Sequence, residues 1–199
     1  MRAGSRRTLL ATLRNRLRAD RRGAVAVEFA LVASAFVVLL LGVVEYALFM
    51  YAETTLENAV AEAARFGITG RTLAGKTREQ VVADIIQQKL TAPFDPELVQ
   101  LDTLVYPDFS SIGRPEPFVD ENGNGLHDPG EPYTDVNGNG QWDADMGESG
   151  LGGPDAVVLY RVRYPWRLFF PPFRVFFPPD GTVWMEAGIA VRNEPFPGS

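Results

Sequence analysis

The densest chemistry in this 199-residue chain lies between residues 117 and 153, where Asp, Glu, Asn and Gly gather and neither Lys nor Arg occurs. Eight carboxylates fall between Asp120 and Glu148. Oxygen donors of this kind suit a hard cation. Ca2+ takes about six to eight oxygens from carboxylates, amide side chains and main-chain carbonyls, whereas Mg2+ demands a rigid octahedron and keeps its waters. The alternate side chains of Asp120, Asn122 and Asn124 converge on one point if the chain turns tightly, and Gly125 permits that turn. Asp128 follows, Glu131 can close a shell with two oxygens, and Leu126 offers its main-chain carbonyl. The pattern returns 15 residues later as Asp135, Asn137, Asn139, Gly140 and Asp143, with Gln141 in the place of Leu126. Two Ca2+ ions are the expected cofactors. The second copy has Met146 where the first has Glu131, so Asp145 or Glu148 must close it from a shifted position, or water does.

The first copy resembles the twelve-residue EF-hand loop at positions 1, 3, 5, 6, 9 and 12, and the second copy follows it incompletely. The short spacing, with Pro129 and Pro132 inside it, leaves no room for a helix between the copies. The region is therefore similar to the bare calcium-loop arrays of dockerin-like or thrombospondin-type repeats rather than to a paired EF-hand domain. The competing reading is an acidic linker that binds nothing, because Asn-Gly and Asp are what turns use in any case. Without a cation the carboxylates would repel one another and leave the insert loose.

Catalytic residues are not expected. His127 is the one histidine, at the eighth loop position, where side chains are expected to point outward, and there is no cysteine. Gly67-Ile68-Thr69-Gly70 lacks the lysine and the length of a phosphate-cradling loop. The chain reads as a non-enzyme.

A second concentration of information lies at Arg21-Arg22-Gly23-Ala24-Val25-Ala26-Val27-Glu28-Phe29. It leads into 28 residues, 24–51, with no Lys, Arg or Asp, broken only by Glu28 and Glu45. A helix over 30–51 extends about 33 Å, enough to cross the hydrocarbon of a bilayer. A glutamate near the start of such a helix costs on the order of a few kcal/mol if it lies deep in the bilayer, so Glu28 needs an interface or a partner. A removed secretory signal peptide fits less well, because the apolar run is too long and Glu45-Tyr46 is no small-residue cleavage site.

Charge gives the expected topology. Of the 19 basic and 25 acidic side chains, eight arginines and Asp20 lie in 1–23, which leaves 11 basic and 24 acidic beyond. A leader at +7 and a remainder at −13 put the amino terminus in the cytoplasm and the carboxy-terminal part outside the inner membrane. A remainder this acidic is no partner for nucleic acid. Leu9, Leu10, Leu13 and Leu17 share one helical face among the arginines, so the leader can lie on an anionic bilayer surface or stay unfolded.

The Arg-Arg-Gly junction, with Glu five residues past the glycine and an apolar helix after it, resembles the prepilin-peptidase site of type IV pilins and pseudopilins. The resemblance implies cleavage between Gly23 and Ala24. It also implies that Glu28, the fifth mature residue, pairs with a neighbouring subunit's terminal amine. Gly42-Val43-Val44-Glu45-Tyr46, Leu56-Glu57-Asn58-Ala59 and Ala63-Ala64-Arg65 narrow the resemblance to TadE-like pseudopilins of the tight-adherence (Flp) pilus. Residues 187–195 loosely resemble that family's closing strand. Phe29, where major pilins carry Tyr, and a large outer domain favour a minor subunit. The implied function is a minor pilin, pseudopilin or pilus-assembly subunit. Its partners would be the lipid bilayer, prepilin peptidase and other pilin or pseudopilin subunits through the amino-terminal helix, with Glu28, Phe29 and Glu45 as assembly residues. One alternative is an uncleaved, membrane-anchored calcium-dependent binding module or adhesin. Another is a type II secretion pseudopilin.

The expected fold is α+β. A long amino-terminal transmembrane, pilin-like helix continues to about Phe66 on the apolar spacing of Leu56, Ala59, Val60 and Ala63 and stops at Gly67 and Gly70. A second helix over 78–90, opened by Thr77 and Gln80 as a capping box, packs on a mostly antiparallel sheet with strands at 98–106, 156–164 and 182–192. The expected parts are a basic cytoplasmic leader (1–23), the transmembrane helix (24–52), periplasmic helices and a first strand (53–119), the calcium-loop insert (120–153) and carboxy-terminal strands (154–199). The phenylalanine- and proline-rich segment 169–179 cannot be a regular central strand. It either fills the core or offers a contact surface.

Overall fold

The computed structural model describes residues 21–176 and 181–196. The leader helix expected at Leu9 to Leu17 and the end of the Phe-Pro segment lie outside them. The chain forms two compact units, 1–47 and 48–199.

Helix α1, Arg21–Gly67, begins in the first unit and ends in the second. In the first unit its large apolar side chains are uncovered, among them Phe29, Leu31, Val32 and Phe36. Its most apolar 18-residue window has a mean hydropathy of 2.6 and is not buried at all. Glu45, by contrast, is buried.

The second unit is an α+β arrangement. Helix α1 brings Ala52, Leu56, Ala59, Val60, Ala63 and Ala64 into one core cluster. Helix α2, Arg78–Lys89, adds Val82 and Ile86. Its start is the expected capping box: Gln80 N donates to Thr77 Oγ1 and Thr77 N to Gln80 Oε1, which satisfies two of the helix's orphan donors. The sheet comprises β1 (Gln100–Tyr106), β2 (Glu148–Ser149), β3 (Val157–Arg167) and β4 (Thr182–Arg192), in the order β2-β1-β3-β4. Every pairing is antiparallel, with Tyr106 opposite Val157 and Val157 opposite Arg192. Val158, Tyr160, Val162, Tyr164 and Trp166 alternate inward from β3, and small alanines on α1 share the core with these large side chains.

The end of α1 fixes its direction over the sheet. A Cβ on Gly67 would lie 1.9 Å from the Tyr160 hydroxyl, so only glycine lets the chain close there. One residue on, the Ile68 carbonyl accepts from Glu194 N, just past β4. The helix therefore ends where Val157 and Arg192 meet. Buried Ala52 lies about 22 Å earlier along the helix. Since β1 ends opposite Val157, the long connection after Tyr106 leaves from the end where α1 stops.

Several expectations shift. β3 runs three residues further than expected, through Pro165, and β1 starts later because Asp95 caps a 3-10 turn at Pro96–Leu98. The two-residue β2 was not expected. In the Phe-Pro segment, Pro171–Phe176 is a 3-10 turn in which Phe173 packs against the core while Phe169 and Val175 are exposed.

Tyr160 carries a testable consequence. Its hydroxyl is buried with no hydrogen-bond partner among the described residues, and burial pushes its pKa up to about 12. A raised folded-state value stabilises fully below the unfolded value of about 10 and is lost as pH climbs toward 12. Thermal melts should hold to about pH 10 and fall between 10 and 12. Tyr160→Phe should remove part of that fall without lowering the melting temperature at pH 7, since no bond is lost.

Candidate functional site

The insert between β1 and β2 is built from two copies of one short unit. In the first, the Asp120 carboxylate accepts from Gly123 N at 2.7 Å and Gly125 N at 2.8 Å. In the second, Asp135 accepts from Gly138 N at 2.6 Å and Gly140 N at 2.9 Å. Gly125 and Gly140, at the sixth position of each loop, have φ of 77° and 79°, which glycine alone adopts without strain. The Gly125 N–H, with the neighbouring amides, holds the Asp120 carboxyl below its usual range, so it stays ionised.

The amide side chains turn inward in both copies. Asn122 and Asn124 donate to Asp128 Oδ2 at 2.6 and 2.8 Å, and Asn137 and Asn139 to Asp143 Oδ2 at 2.8 and 2.6 Å. Their amide oxygens accept one main-chain N–H each and keep a second lone pair. No group of three or more His, Cys, Asp or Glu side chains forms a metal site among the described residues. What each loop offers is a mixed set of carboxylate, amide and carbonyl oxygens, a donor set that fits Ca2+ rather than a transition metal.

The structure brings Asp120, Asn122, Asn124, Leu126, Asp128 and Glu131 together in the first loop. It brings Asp135, Asn137, Asn139, Gln141 and Asp143 together in the second. Glu148 is not among them. It sits exposed in β2 opposite Val105. Asp145 is also turned away, because its carboxylate accepts from the Tyr106 hydroxyl at 2.8 Å and draws the chain back to the sheet. Burial first, and then that bond, push the Tyr106 pKa up to about 12.

The side chain beside the second loop is Glu116, fully buried and upstream of both copies. Glu131 accepts from Glu121 N at 3.0 Å and Asp128 N at 2.9 Å, the second and ninth residues of loop one. Glu116 accepts from Val136 N at 2.7 Å and Asp143 N at 3.1 Å, the second and ninth residues of loop two. The signal for it was in the sequence: Glu116-Pro117-Phe118 precedes Glu131-Pro132-Tyr133 by the same 15 residues that separate the loops. Reading forward from each Asp missed it.

The position of His127 also differs from expectation. It does not point outward but stacks on Trp142 at 4.5 Å, with Phe118 and Tyr133 at its edges. His127 and Trp142 are the eighth residues of their loops. Trp142 Nε1 donates to Glu116 O at 3.0 Å, while His127 Nε2 lies 3.3 Å from Glu131 O. Phe118 and Tyr133 form an antiparallel bridge, with Val119 N donating to Pro132 O and Thr134 N to Pro117 O. The two loops thus share one small aromatic core.

The other expected site lies in the first unit. Gly23 and Ala24 are inside α1, and nothing stands within 4 Å of a Cβ built on Gly23. Glu28 and Phe29 are exposed on the same helix. Glu45 is buried further along. Residues 23–65 match the model of the TadE-like protein family. The TadE-like segment thus starts at Gly23, holds the whole uncovered apolar run and stops two residues before α1 ends. The match suggests a pilus-associated, pilin-like protein, and the helix is long and apolar enough to cross a membrane. The insert and the sheet lie outside the matched segment. No curated protein and no solved structure matches the chain.

Proposed function

We propose that this protein is a minor pilin, pseudopilin or pilus-assembly subunit, cut by prepilin peptidase after Gly23 and anchored in a bacterial inner membrane, with an extracytoplasmic domain that carries two Ca2+ ions. The observation that carries the reading is that the TadE-like segment begins at Gly23 and leads at once into an unburied helix apolar enough to span a bilayer.

Two features of that helix support it. Glycine within a helix costs about 0.5–1 kcal/mol relative to alanine. Among the described residues nothing needs glycine at position 23, since a Cβ there would meet open space, so recognition by a peptidase accounts for it better than packing does. Glu28 stands among exposed Val27, Phe29, Leu31 and Val32 with no partner among the described residues. In a bilayer an unpaired carboxylate is expensive, and the amine freed at Ala24 of a neighbouring subunit is a matching charge. Within the same helix, Phe29 and Glu45 complete the proposed assembly residues.

In the insert, Asp120, Asn122, Asn124, the Leu126 carbonyl, Asp128 and Glu131 would hold one ion. Asp135, Asn137, Asn139, the Gln141 carbonyl and Asp143 would hold most of another. The ions would supply the positive charge that a segment without Lys or Arg lacks, and so stiffen it. The main-chain amides keep the Asp120 carboxylate ionised, and the asparagine side chains turn toward Asp128 and Asp143.

A second reading, an uncleaved membrane-anchored calcium-dependent binding module, is favoured by the restriction of the family match to 23–65. Amino-terminal sequencing of membrane-extracted protein separates the two. Cleavage gives Ala24 as the first residue, and Glu28→Ala should then abolish incorporation into filaments. An intact leader supports the anchored module instead. For the ions, calorimetry of the full chain in detergent should show heat at millimolar Ca2+ and a raised melting temperature. At a hundred times Kd the stabilisation is about 2.7 kcal/mol per site. No heat and no shift would refute the calcium reading.

A further inference from the structure

We infer that Glu116 is the ligand that closes the second cation site, in the role Glu131 has in the first, and that the two sites bind as one interlocked pair. The inference rests on the calcium reading above. Glu116 lies 19 residues before Asp135, on the far side of the first loop, so chain order hides it. The structure delivers it by a short antiparallel pairing: Glu116 N donates to Asp143 O at 2.9 Å, and Met146 N to Arg114 O at 2.9 Å. Glu131 N makes the matching bond to Asp128 O at 3.1 Å. The strand bridge at Phe118 and Tyr133 relates the two units by an approximate twofold, and each closing glutamate meets its loop at the same two N–H groups.

Burial supplies the reason to expect a cation beside Glu116. Its side chain is fully buried, and Glu131 is 8 % exposed. The ion pairs among the described residues, Lys76 with Asp84, Lys89 with Glu62, and Arg161 and Arg163 with Asp102, include neither glutamate. Main-chain N–H groups satisfy part of each carboxylate, but a charge taken out of water with no opposite charge nearby is costly. A divalent ion in each loop answers both. Because Trp142 of loop two stacks on His127 of loop one, and their ring nitrogens meet the main chain of Glu116 and Glu131, ordering one loop also orders the other's closing residue. Filling one site should therefore favour filling the second.

A Ca2+ titration of the full chain in detergent, followed by amide NMR, tests this. The Gly125 N–H, bonded to Asp120, reports the first loop, and the Gly140 N–H, bonded to Asp135, reports the second. In the wild-type chain both amides should shift together. Glu116→Gln should raise the Ca2+ concentration needed at Gly140 by at least about tenfold, with a smaller rise at Gly125, and Glu148→Gln should change neither. If Glu116→Gln unfolds the insert, Glu116→Asp keeps the charge and shortens its reach, and should still weaken the Gly140 response about tenfold. An unchanged Gly140 response in a folded Glu116 variant, or a weakened one in Glu148→Gln, overturns the inference while leaving calcium binding in place. Silence of both amides in the wild-type chain overturns calcium binding and this assignment together.

Discussion

The contact on which the second unit depends is the seating of the last four turns of α1 on β3. Ala52, Ala59, Ala63 and Ala64 leave little side chain on that face, and Tyr160, Tyr164 and Trp166 supply the bulk. Fully burying an apolar side chain is worth about 1.5–3 kcal/mol, so Leu56 and Val60 add to a core that has no disulfide to help it. Position 67 must be glycine because the Tyr160 hydroxyl leaves no room for a Cβ. The same helix spends its first half without protein cover. One segment thus meets two environments, and its residue types change accordingly, from Val, Leu and Phe on every side to alanines on one face.

The insert obeys a different constraint. It has almost no aliphatic core, and its order comes from carboxylates and amides that satisfy one another and from four rings at the centre of an approximate twofold. A hydrogen-bonded scaffold with this many carboxylates and neither Lys nor Arg between residues 117 and 153 is electrically unbalanced. That imbalance, more than the motif, motivates the proposal that it takes up cations. It leaves the sheet at the end where α1 stops.

Much of the fold was legible in the sequence because local rules decided it. Thr77 and Gln80 announced α2, Gly67 announced the end of α1, and the strand at Thr182–Arg192 has the expected bounds. Sequence reading failed where tertiary contacts decide. Tyr106 pulls Asp145 back to the sheet, which creates β2 and removes Glu148 from the loop. The eighth loop position faces outward in a single loop, but pairing two loops makes His127 a half-buried member of an aromatic cluster. Glu116 was missed because a loop read forward from its first Asp does not look upstream, although the repeat of Glu-Pro-aromatic was there to find.

We propose that residues 29–44 of α1 face lipid, whereas one face of 52–64 meets the core of the second unit. The chain has no cysteine, so single cysteines can be placed along the helix and spin-labelled without background. With the protein in lipid vesicles, labels at 29–44 should collide with oxygen and not with a water-soluble nickel chelate on every face of the helix. Labels at 52–64 should instead be protected periodically, at 52, 56, 59, 60 and 63. Free access of the chelate to 29–44 would contradict the account.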